Sequence, residues 1–360
     1  MTGGEAAPRR IGVLTFHRCI NYGSYWQARC LAEGLRRRGH EAVLLDHRSR
    51  RIDRAEWRCA LQPVLPTPTQ PEDVPLYVEK TRKFFEAFES LPLSEAFDLE
   101  APRLPAGLDA VVVGSDEVWN FRHPWYAARP LFFGDGLEAG RLVAYAASFG
   151  NHDAADGVHP DWARRLAAFS AIAVRDDNSR RLVEASLGSK PEVVLDPCLQ
   201  FSDLSHRPEA EPRPDRAIVY GHSFAGWFKA AIRRWAEARG VRLVSLGYHN
   251  DWADEQWITA GPEDFTRAMA SARAVITNFF HGCVFALVNA RPFVSALTDY
   301  RLNKVRDLTS RVGAERRLVN PDSPDWAVAA ALDEPLGPRV EDRLDQLRRR
   351  SEAYLDLALA

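Results

Sequence analysis

One histidine stands where its side chain could carry out acid–base chemistry. His281 follows an apolar run at residues 274–277 and a short corner, and an apolar segment predicted to be helical comes after it. A strand, a sharp corner and a helix present a side chain at the carboxyl edge of a parallel sheet, where α/β proteins bind ligands. Because imidazole titrates near neutrality, His281 is the candidate general acid or base. Gly282 ends the corner, and the helix predicted behind it at residues 283–288 has unpaired N–H groups that favour an anion.

Polar residues follow several other predicted strands. They are Ser115 and Asp116 after residues 110–113, Ser148 after residues 141–147, Arg175 after residues 171–174, and His222 near the end of the strand at residues 217–220. Since parallel strands share a carboxyl edge, these side chains are candidate substrate-binding groups, together with Asn21 and Gly23 beside the first helix. Structural roles stay open from the sequence: an ion pair for Arg175, a cap for Asp116 and turn geometry for Asn21.

The elements that must position these residues alternate between strands and helices. The order strand, helix, strand at residues 11–46 predicts a parallel sheet. The loop between the first strand and helix lacks the glycine triplet of dinucleotide-binding proteins, which excludes nicotinamide and flavin cofactors. We predict an α/β protein of two Rossmann-like domains facing a cleft. They are residues 1–203 and 217–338, joined by a proline-rich linker at 204–216 and followed by a C-terminal helix at 339–360.

The composition narrows the class of protein further. The chain has 360 residues, of which 46% are hydrophobic and 27% charged, with a net charge of −2. Interspersed charges argue against a nucleic-acid partner, and no apolar run reaches the roughly 20 residues of a membrane span. A polar start without a signal-peptide pattern and five scattered cysteines favour reduced thiols in the cytoplasm. No histidine or carboxylate spacing is typical of a metal site, so we expect no obligatory metal.

Six ordered motifs resemble those of the polysaccharide pyruvyl transferase family. They are NYGSYWQA (21–28), VVVGSDEVWN (111–120), AYAASFG (144–150), AVRDDNS (173–179), VLDP (194–197) and TNFFHGCVFALVNARPF (277–293). The resemblance spans roughly residues 11–317. It implies a GT-B-like fold and the transfer of a pyruvyl group from phosphoenolpyruvate, a co-substrate rather than a cofactor, to a sugar, giving a ketal in a cell-surface polysaccharide.

The resemblance also implies roles for individual residues. It places His281 and Gly282 at the donor and makes Arg175 the leading anchor for the donor's anionic groups. Many relatives carry an arginine two residues before the histidine, where this chain has Phe279. Lys304 and, after it, Arg301 are therefore the candidates to supply the missing positive charge.

Two other readings remain open from the sequence. One is a GT-B-like glycosyltransferase with a nucleotide-sugar donor, and the other is a catalytically silent glycan-binding relative, suggested by Phe279. The acceptor is expected to be a sugar or a lipid-linked oligosaccharide, and the sequence leaves peripheral association with a membrane surface open.

Overall fold

The computed structural model describes residues 8–296 and 302–360, which form two parallel sheets covered by helices. The strands are β1 (Arg10–Leu14), β2 (Glu41–Leu44), β3 (His47–Arg48), β4 (Phe97–Asp98), β5 (Ala110–Val113), β6 (Arg141–Ala147), β7 (Ala171–Val174), β8 (Glu192–Val193), β9 (Arg213–Tyr220), β10 (Arg242–Leu246), β11 (Glu255–Trp257), β12 (Ala272–Thr277), β13 (Phe293–Ala296) and β14 (Leu318–Val319). The helices are α1 (Tyr22–Arg37), α2 (Arg50–Leu61), α3 (Val74–Glu89), α4 (Pro160–Leu166), α5 (Asp177–Leu187), α6 (Pro197–Gln200), α7 (Gly226–Arg239), α8 (Pro262–Ser271), α9 (Phe280–Val288), α10 (Leu302–Val312), α11 (Asp325–Asp333) and α12 (Pro338–Leu359).

Each large sheet has a point where the strand order reverses. The first sheet has the order β2-β1-β5-β6-β7-β8, and the second has the order β11-β10-β9-β12-β13-β14. The reversal therefore lies beside β1 in the first sheet and beside β9 in the second. Open parallel sheets bind ligands in the crevice at the carboxyl ends of strands at such a point. A ligand-binding crevice is therefore expected at the loops after β1, β5, β9 and β12.

Strand β5 lies inside its sheet, and its residues are apolar on both faces. All four residues of β5 are completely buried, as expected for a parallel strand with helices on either side. The largest apolar core includes Val13 of β1, Ile218 of β9 and Phe285 of α9, so it is shared by the two sheets. Two further cores lie within the separate halves of the molecule.

Helix α12 follows the second sheet in the chain but packs against the first. The hydroxyl of Tyr354 donates a hydrogen bond to the carbonyl oxygen of Ala144 in β6 at 2.8 Å. The hydroxyl of Ser351 accepts one from the N–H of Leu195 at 2.9 Å, and Leu355 is completely buried. The C-terminal helix thus fastens the end of the chain to the first half of the molecule.

Some element boundaries differ from those expected. Strand β9 begins at Arg213, inside the segment predicted as a linker, because its first residues extend the pairing with β10 and β12. Helices α2 and α11 were not predicted from the sequence. Within the described residues, none of the helices combines the length and apolar character needed to cross a membrane.

Candidate active site between the two sheets

A cavity of about 340 Å³ lies between the two halves, at the carboxyl ends of both sheets. Its lining comes from the loops after β1, β5, β7 and β12, from the last residue of β9, and from α1, α9 and α10. The lining residues are Phe16, Cys19, Asn21, Ser24, Asp116, Glu117, His123, Pro124, Trp125, Arg175, Tyr220, Phe279, Phe280, His281 and Lys304. Five of the predicted site residues are among them: His281, Arg175, Lys304, Asn21 and Asp116.

His281 is held by a glycine from the other half of the molecule. It lies in the first turn of α9, and its side chain is 11% exposed. Gly23, in the first turn of α1, packs so closely on the imidazole that a Cβ at this position would overlap Nδ1. The absence of a side chain at Gly23 therefore lets the two halves meet at the histidine.

The corner before His281 is fixed by Thr277, the last residue of β12. Its hydroxyl donates to the carbonyl oxygen of Tyr220 at 2.6 Å and accepts from the N–H of Phe279 at 3.0 Å. Gly282 packs on this threonine, and a Cβ there would overlap the hydroxyl. The absence of a side chain at Gly282 thus lets the corner pack closely against Thr277.

Phe279 gives the cavity an aromatic wall. Its ring packs edge-on against Tyr220 at 5.0 Å and Tyr248 at 5.7 Å between centroids, and it is 8% exposed. Such edge-to-face pairs are favourable for aromatic rings. Phe279, where the resemblance implies that an arginine often stands, thus makes apolar contacts with β9 and with the loop after β10.

Arg175 lies at the centre of a buried charge network. Its Nη1 donates to Asp196 Oδ2 at 2.9 Å, and its Nη2 lies 3.4 Å from Asp116 Oδ1. The guanidinium also stacks over the ring of Phe280, 4.5 Å from its centroid. The side chain is only 3% exposed, so these partners replace the water that the charge has lost.

Asp196 joins Arg175 to His281. Its Oδ2 faces His281 Nε2 at 3.5 Å, while its Oδ1 accepts the N–H of Cys198 at 3.0 Å and caps α6. Burial alone would raise the pKa of Asp196, but His281, Arg175 and the Cys198 N–H outweigh it and hold the pKa well below its usual range. Asp196 is thus an ionised carboxylate beside the histidine.

Two further carboxylates, those of Asp116 and Glu117, border the cavity. Asp116 has a left-handed backbone, with φ of 76°, and accepts the Ser24 hydroxyl at 2.9 Å. Glu117 forms an ion pair with Lys304 and accepts the Asn120 amide at 2.7 Å. Burial would raise the pKa of Glu117, but Lys304 and Arg175 lower it to about 2. Lys304 thus lines the cavity, where it is paired with Glu117.

His123 and Trp125 form another part of the cavity wall and were not singled out from the sequence. His123 Nδ1 accepts the backbone N–H groups of Trp125 at 3.2 Å and Tyr126 at 3.1 Å. An acceptor at Nδ1 places the hydrogen of the neutral ring on Nε2. Burial lowers the pKa of His123, which favours that neutral form. The wall thus offers one N–H donor and one half-buried indole.

Three predicted residues lie away from the cavity lining. The Ser115 hydroxyl donates to Gln27 at 2.7 Å, the Ser148 hydroxyl donates to Asp176 at 2.6 Å, and both serines are completely buried. The ring of His222 packs edge-on against Phe279, with ring centroids 5.2 Å apart. The two serines and His222 therefore do not line the cavity. Arg301 lies outside the described residues.

One trio of residues could in principle hold a metal ion. Asp196, Cys198 and His281 bring one ligand atom each within 4.8 Å of the others, in the part of the chain that the structure describes. Arg175 donates to the same carboxylate, so a cation at this point would meet a buried guanidinium. The donor set therefore suits a proton between Asp196 and His281 better than a metal ion.

The two facing sheets and the cavity between them define a GT-B-like α/β protein. The structure is similar to that of a putative UDP-N-acetylglucosamine 2-epimerase from Listeria monocytogenes, with a TM-score of 0.51 and 11% identity over 95% of this chain and 91% of the other. It is also similar to the UDP-GlcNAc 2-epimerase from Methanocaldococcus jannaschii, with a TM-score of 0.50 and 11% identity over 95% and 99% of the two chains. The predicted fold class is confirmed, and likeness at this identity shows the fold alone.

The amino-acid sequence identifies the family of the protein, which the fold alone does not. The model of the polysaccharide pyruvyl transferase family matches residues 21–300, which is most of the 360 residues. No curated protein matches the sequence. The chain belongs to the polysaccharide pyruvyl transferase family, as the six motifs predicted.

Proposed function

We propose that this protein transfers the pyruvyl group of phosphoenolpyruvate to two hydroxyls of a sugar in a surface polysaccharide or its precursor, forming a ketal. The observation that carries the proposal is the buried contact series Arg175–Asp196–His281, whose two outer members line the interdomain cavity of a member of the polysaccharide pyruvyl transferase family. A buried carboxylate with a histidine on one side and a guanidinium on the other combines proton transfer with anion binding.

The reaction defines what the site must supply. The methylene carbon of phosphoenolpyruvate gains a proton, two sugar oxygens form bonds to C2, and the bond from C2 to the phosphate oxygen breaks. Two hydroxyl protons are released, so one balances the proton added to carbon and the other leaves with phosphate. The site therefore needs an acid–base group, stabilisation of positive charge at C2 and a binding site for two anionic groups.

His281 is the acid–base group in this proposal. Its Nε2 has no hydrogen bond of ordinary geometry within the described residues, although Asp196 Oδ2 lies 3.5 Å away. The carboxylate stabilises the imidazolium that forms when the ring takes a proton from a sugar hydroxyl. Gly23 on the other face of the ring keeps the imidazole from turning away.

The donor's anionic groups are assigned to Arg175, Lys304 and two helix ends. The N-termini of α1 and α9 border the cavity through their flanking residues Asn21 and Phe279, and helix N-termini favour phosphate. Both cations are already paired, Arg175 with Asp116 and Asp196, and Lys304 with Glu117. Donor binding is therefore expected to draw Lys304 away from Glu117.

The acceptor sugar is assigned to the wall of His123 and Trp125. The Nε2–H of neutral His123 can donate to a sugar oxygen, and the indole of Trp125 offers an apolar face to the ring carbons. Neither role requires a metal or a cofactor, and the proposed reaction uses none. Since all five cysteines are unpaired, we assign the reaction to the reducing cytoplasm.

The test is a direct search for the product. The protein is incubated with phosphoenolpyruvate and a panel of simple and lipid-linked glycosides, and mass spectrometry detects a ketal-linked pyruvyl group together with released phosphate. Thermal-shift titration supplies a second readout, because only ligands of the folded state raise the unfolding temperature.

The outcomes separate the three functions. Stabilisation by phosphoenolpyruvate and not by nucleotide-sugars, with ketal formation on any acceptor, supports the proposal. Stabilisation by nucleotide-sugars alone would favour a glycosyltransferase. Glycan binding without any transfer would favour a silent relative, in which the aromatic wall at Phe279 serves binding only.

A further inference from the structure

We infer that the outer surface of α2 and α3 docks on the headgroups of an anionic lipid bilayer. This surface, which we call the α2–α3 face, consists of Arg50, Arg54, Trp57 and Arg58 of α2, Val64 in the loop after it, and Val78 and Phe85 of α3. All seven side chains are exposed.

Large exposed apolar side chains concentrate on this face. Within residues 8–296 and 302–360, six such residues are exposed, and four of them belong to the α2–α3 face: Trp57 at 49%, Val64 at 83%, Val78 at 50% and Phe85 at 39%. The rings of Trp57 and Phe85 touch edge-on, with centroids 5.9 Å apart. A cluster of this kind on a soluble protein marks an interaction surface.

The exposed charges that α2 itself places beside the cluster are arginines without an ion pair. Arg50, Arg54 and Trp57 fall on one side of α2 through their spacing of four and three residues, and Arg58 lies next to them. Among the described residues, none of these three arginines forms an ion pair, whereas Arg82 on α3 is paired with Glu79 and Glu86. The arrangement stands out in a chain whose net charge is −2.

Unpaired arginines around an exposed tryptophan match the chemistry of an anionic bilayer surface. Phosphate groups of lipids attract arginine, and tryptophan prefers the boundary between headgroups and hydrocarbon. Each basic residue near such a surface contributes to binding, and the attraction weakens with salt.

The α2–α3 face adjoins the mouth of the active-site cavity. Arg51, at the start of α2, donates to the carbonyl oxygen of Trp125 at 2.9 Å, and Trp125 lines the cavity. On its inner side α2 holds the loop before α1, since the Glu56 carboxylate accepts the N–H of Ile20 at 2.8 Å. Docking through this face brings the cavity wall assigned to the sugar close to the bilayer. A lipid-linked acceptor fits that placement, and this last point rests on the proposed function.

The test is co-sedimentation with vesicles, which requires no substrate. The full chain is mixed with vesicles of phosphatidylcholine alone or of phosphatidylcholine with phosphatidylglycerol at roughly one lipid in three. We expect the protein to sediment with the anionic vesicles, to remain in solution with the neutral ones, and to be released by high salt. Because this readout involves neither phosphoenolpyruvate nor sugar, it stands or falls separately from ketal formation.

Matched variants assign the binding to the face. Arg54→Glu with Arg58→Glu is expected to lower the bound fraction at least about tenfold, and Trp57→Ala is expected to lower it by a smaller factor. Arg343→Glu with Arg349→Glu on the outer side of α12 makes the same charge change, and Trp326→Ala removes another exposed indole, 69% accessible. Both controls should bind like the original protein. Unfolding temperatures confirm that all variants are folded.

Two results would overturn the inference. One is a chain that stays in solution with anionic vesicles at low salt, which would leave the face to a protein partner. The other is vesicle binding that the control substitutions weaken as much as those on the α2–α3 face.

Discussion

Gly23 and His281 show how a residue without a side chain can determine the placement of one that does chemistry. The glycine lies in α1 and the histidine in α9, and they meet at the cavity between the two halves. The imidazole has Gly23 on one side and Asp196 Oδ2 at 3.5 Å from Nε2. Its orientation therefore depends on the contact between α1 and α9 as well as on the corner that Thr277 stabilises.

Substituting Gly23 with alanine tests this contact. The added methyl group must displace the imidazole, so Gly23→Ala is expected to reduce ketal formation strongly and to cost about 1–3 kcal/mol in the free energy of unfolding. Turnover and thermal unfolding are measured together. Gly226→Ala is the matched control, since it also lies in the first turn of a helix and its Cβ would meet nothing within 4 Å. Full activity of Gly23→Ala would show that the imidazole position is not critical.

The acid–base role of His281 makes a second prediction. His281→Gln is expected to lower kcat by about 10²–10⁴-fold, because proton transfer by a positioned group contributes that much. The stabilisation by phosphoenolpyruvate in a thermal-shift titration should persist, since Arg175, Lys304 and the helix ends remain. His206→Gln, on an exposed loop, serves as the control. Unchanged turnover on a confirmed acceptor would contradict the assignment.

At the scale of elements, α2 connects the surface to the site. Its inner side carries Glu56, which is 8% exposed and holds the loop before α1 through the N–H of Ile20. Burial raises the pKa of Glu56 to about 7, and the Ile20 hydrogen bond offsets only part of that effect. This carboxyl group is therefore protonated in the folded protein at pH values where it would be ionised in the unfolded chain.

The stability of the protein should respond to this group in a defined pH window. Below the unfolded pKa, about 4.3, both states carry the proton and Glu56 adds no pH dependence. As the pH rises from there to about 7, only the unfolded state loses its proton, so the free energy of unfolding falls. Glu56→Gln removes this titration and is expected to raise the stability at pH 8 by up to about 4 kcal/mol relative to the original protein, with little difference near pH 4.

Denaturant unfolding across this pH range measures the effect. Glu72→Gln is the control, because that carboxylate is exposed. A variant whose stability follows the same pH curve as the original protein would show that Glu56 is ionised in the folded state.

The strands could be predicted from the sequence more reliably than the site. Residues 110–113, 141–147 and 171–174 are predicted and observed with the same bounds, because a buried parallel strand is a continuous apolar run. Helix α2 was not predicted, since its outer side carries arginines and a tryptophan where an amphipathic pattern would place only polar residues. The burial of Glu56 against a loop far along the chain has no local signal.

The site illustrates the same limit. His281 and Arg175 follow apolar runs, so their strand ends could be located in the sequence. Asp196 also ends such a run, in the motif VLDP, but nothing local indicates that its carboxylate lies between them. His123 and Trp125 belong to an irregular loop, and loops carry no periodicity from which a wall position could be read. Lys304 is predicted as the source of the positive charge missing at Phe279, but its pairing with Glu117 depends on how the two halves meet.

At the scale of the whole molecule, the two halves share one apolar core. The core contains residues of β1 and β9 and is completed by α12, which joins the first sheet through Tyr354 and Leu355. Domains that touch only through a polar surface move freely, whereas a shared apolar core resists separation. We therefore expect a single cooperative unfolding transition.

Removing buried contacts of α12 tests that expectation. Leu355→Ala should lower the free energy of unfolding by about 2–5 kcal/mol and leave a single transition, because Leu355 is completely buried and its loss leaves a cavity. Leu357→Ala, on the same helix but 77% exposed, should have little effect. Differential scanning calorimetry distinguishes this from independent domains, which would give two transitions with only one of them shifted.

The contact between Gly23 and His281 has a consequence for exchanging parts between relatives. A chimera that takes its first half from one family member and its second from another inherits the histidine and the residue facing it from different parents. Where the parent of the first half has a side chain at the position of Gly23, that side chain displaces the imidazole. The chimera can then fold normally and still be inactive. Introducing a glycine at that single position should restore turnover to the chimera, and failure to do so would place the incompatibility elsewhere in the interface.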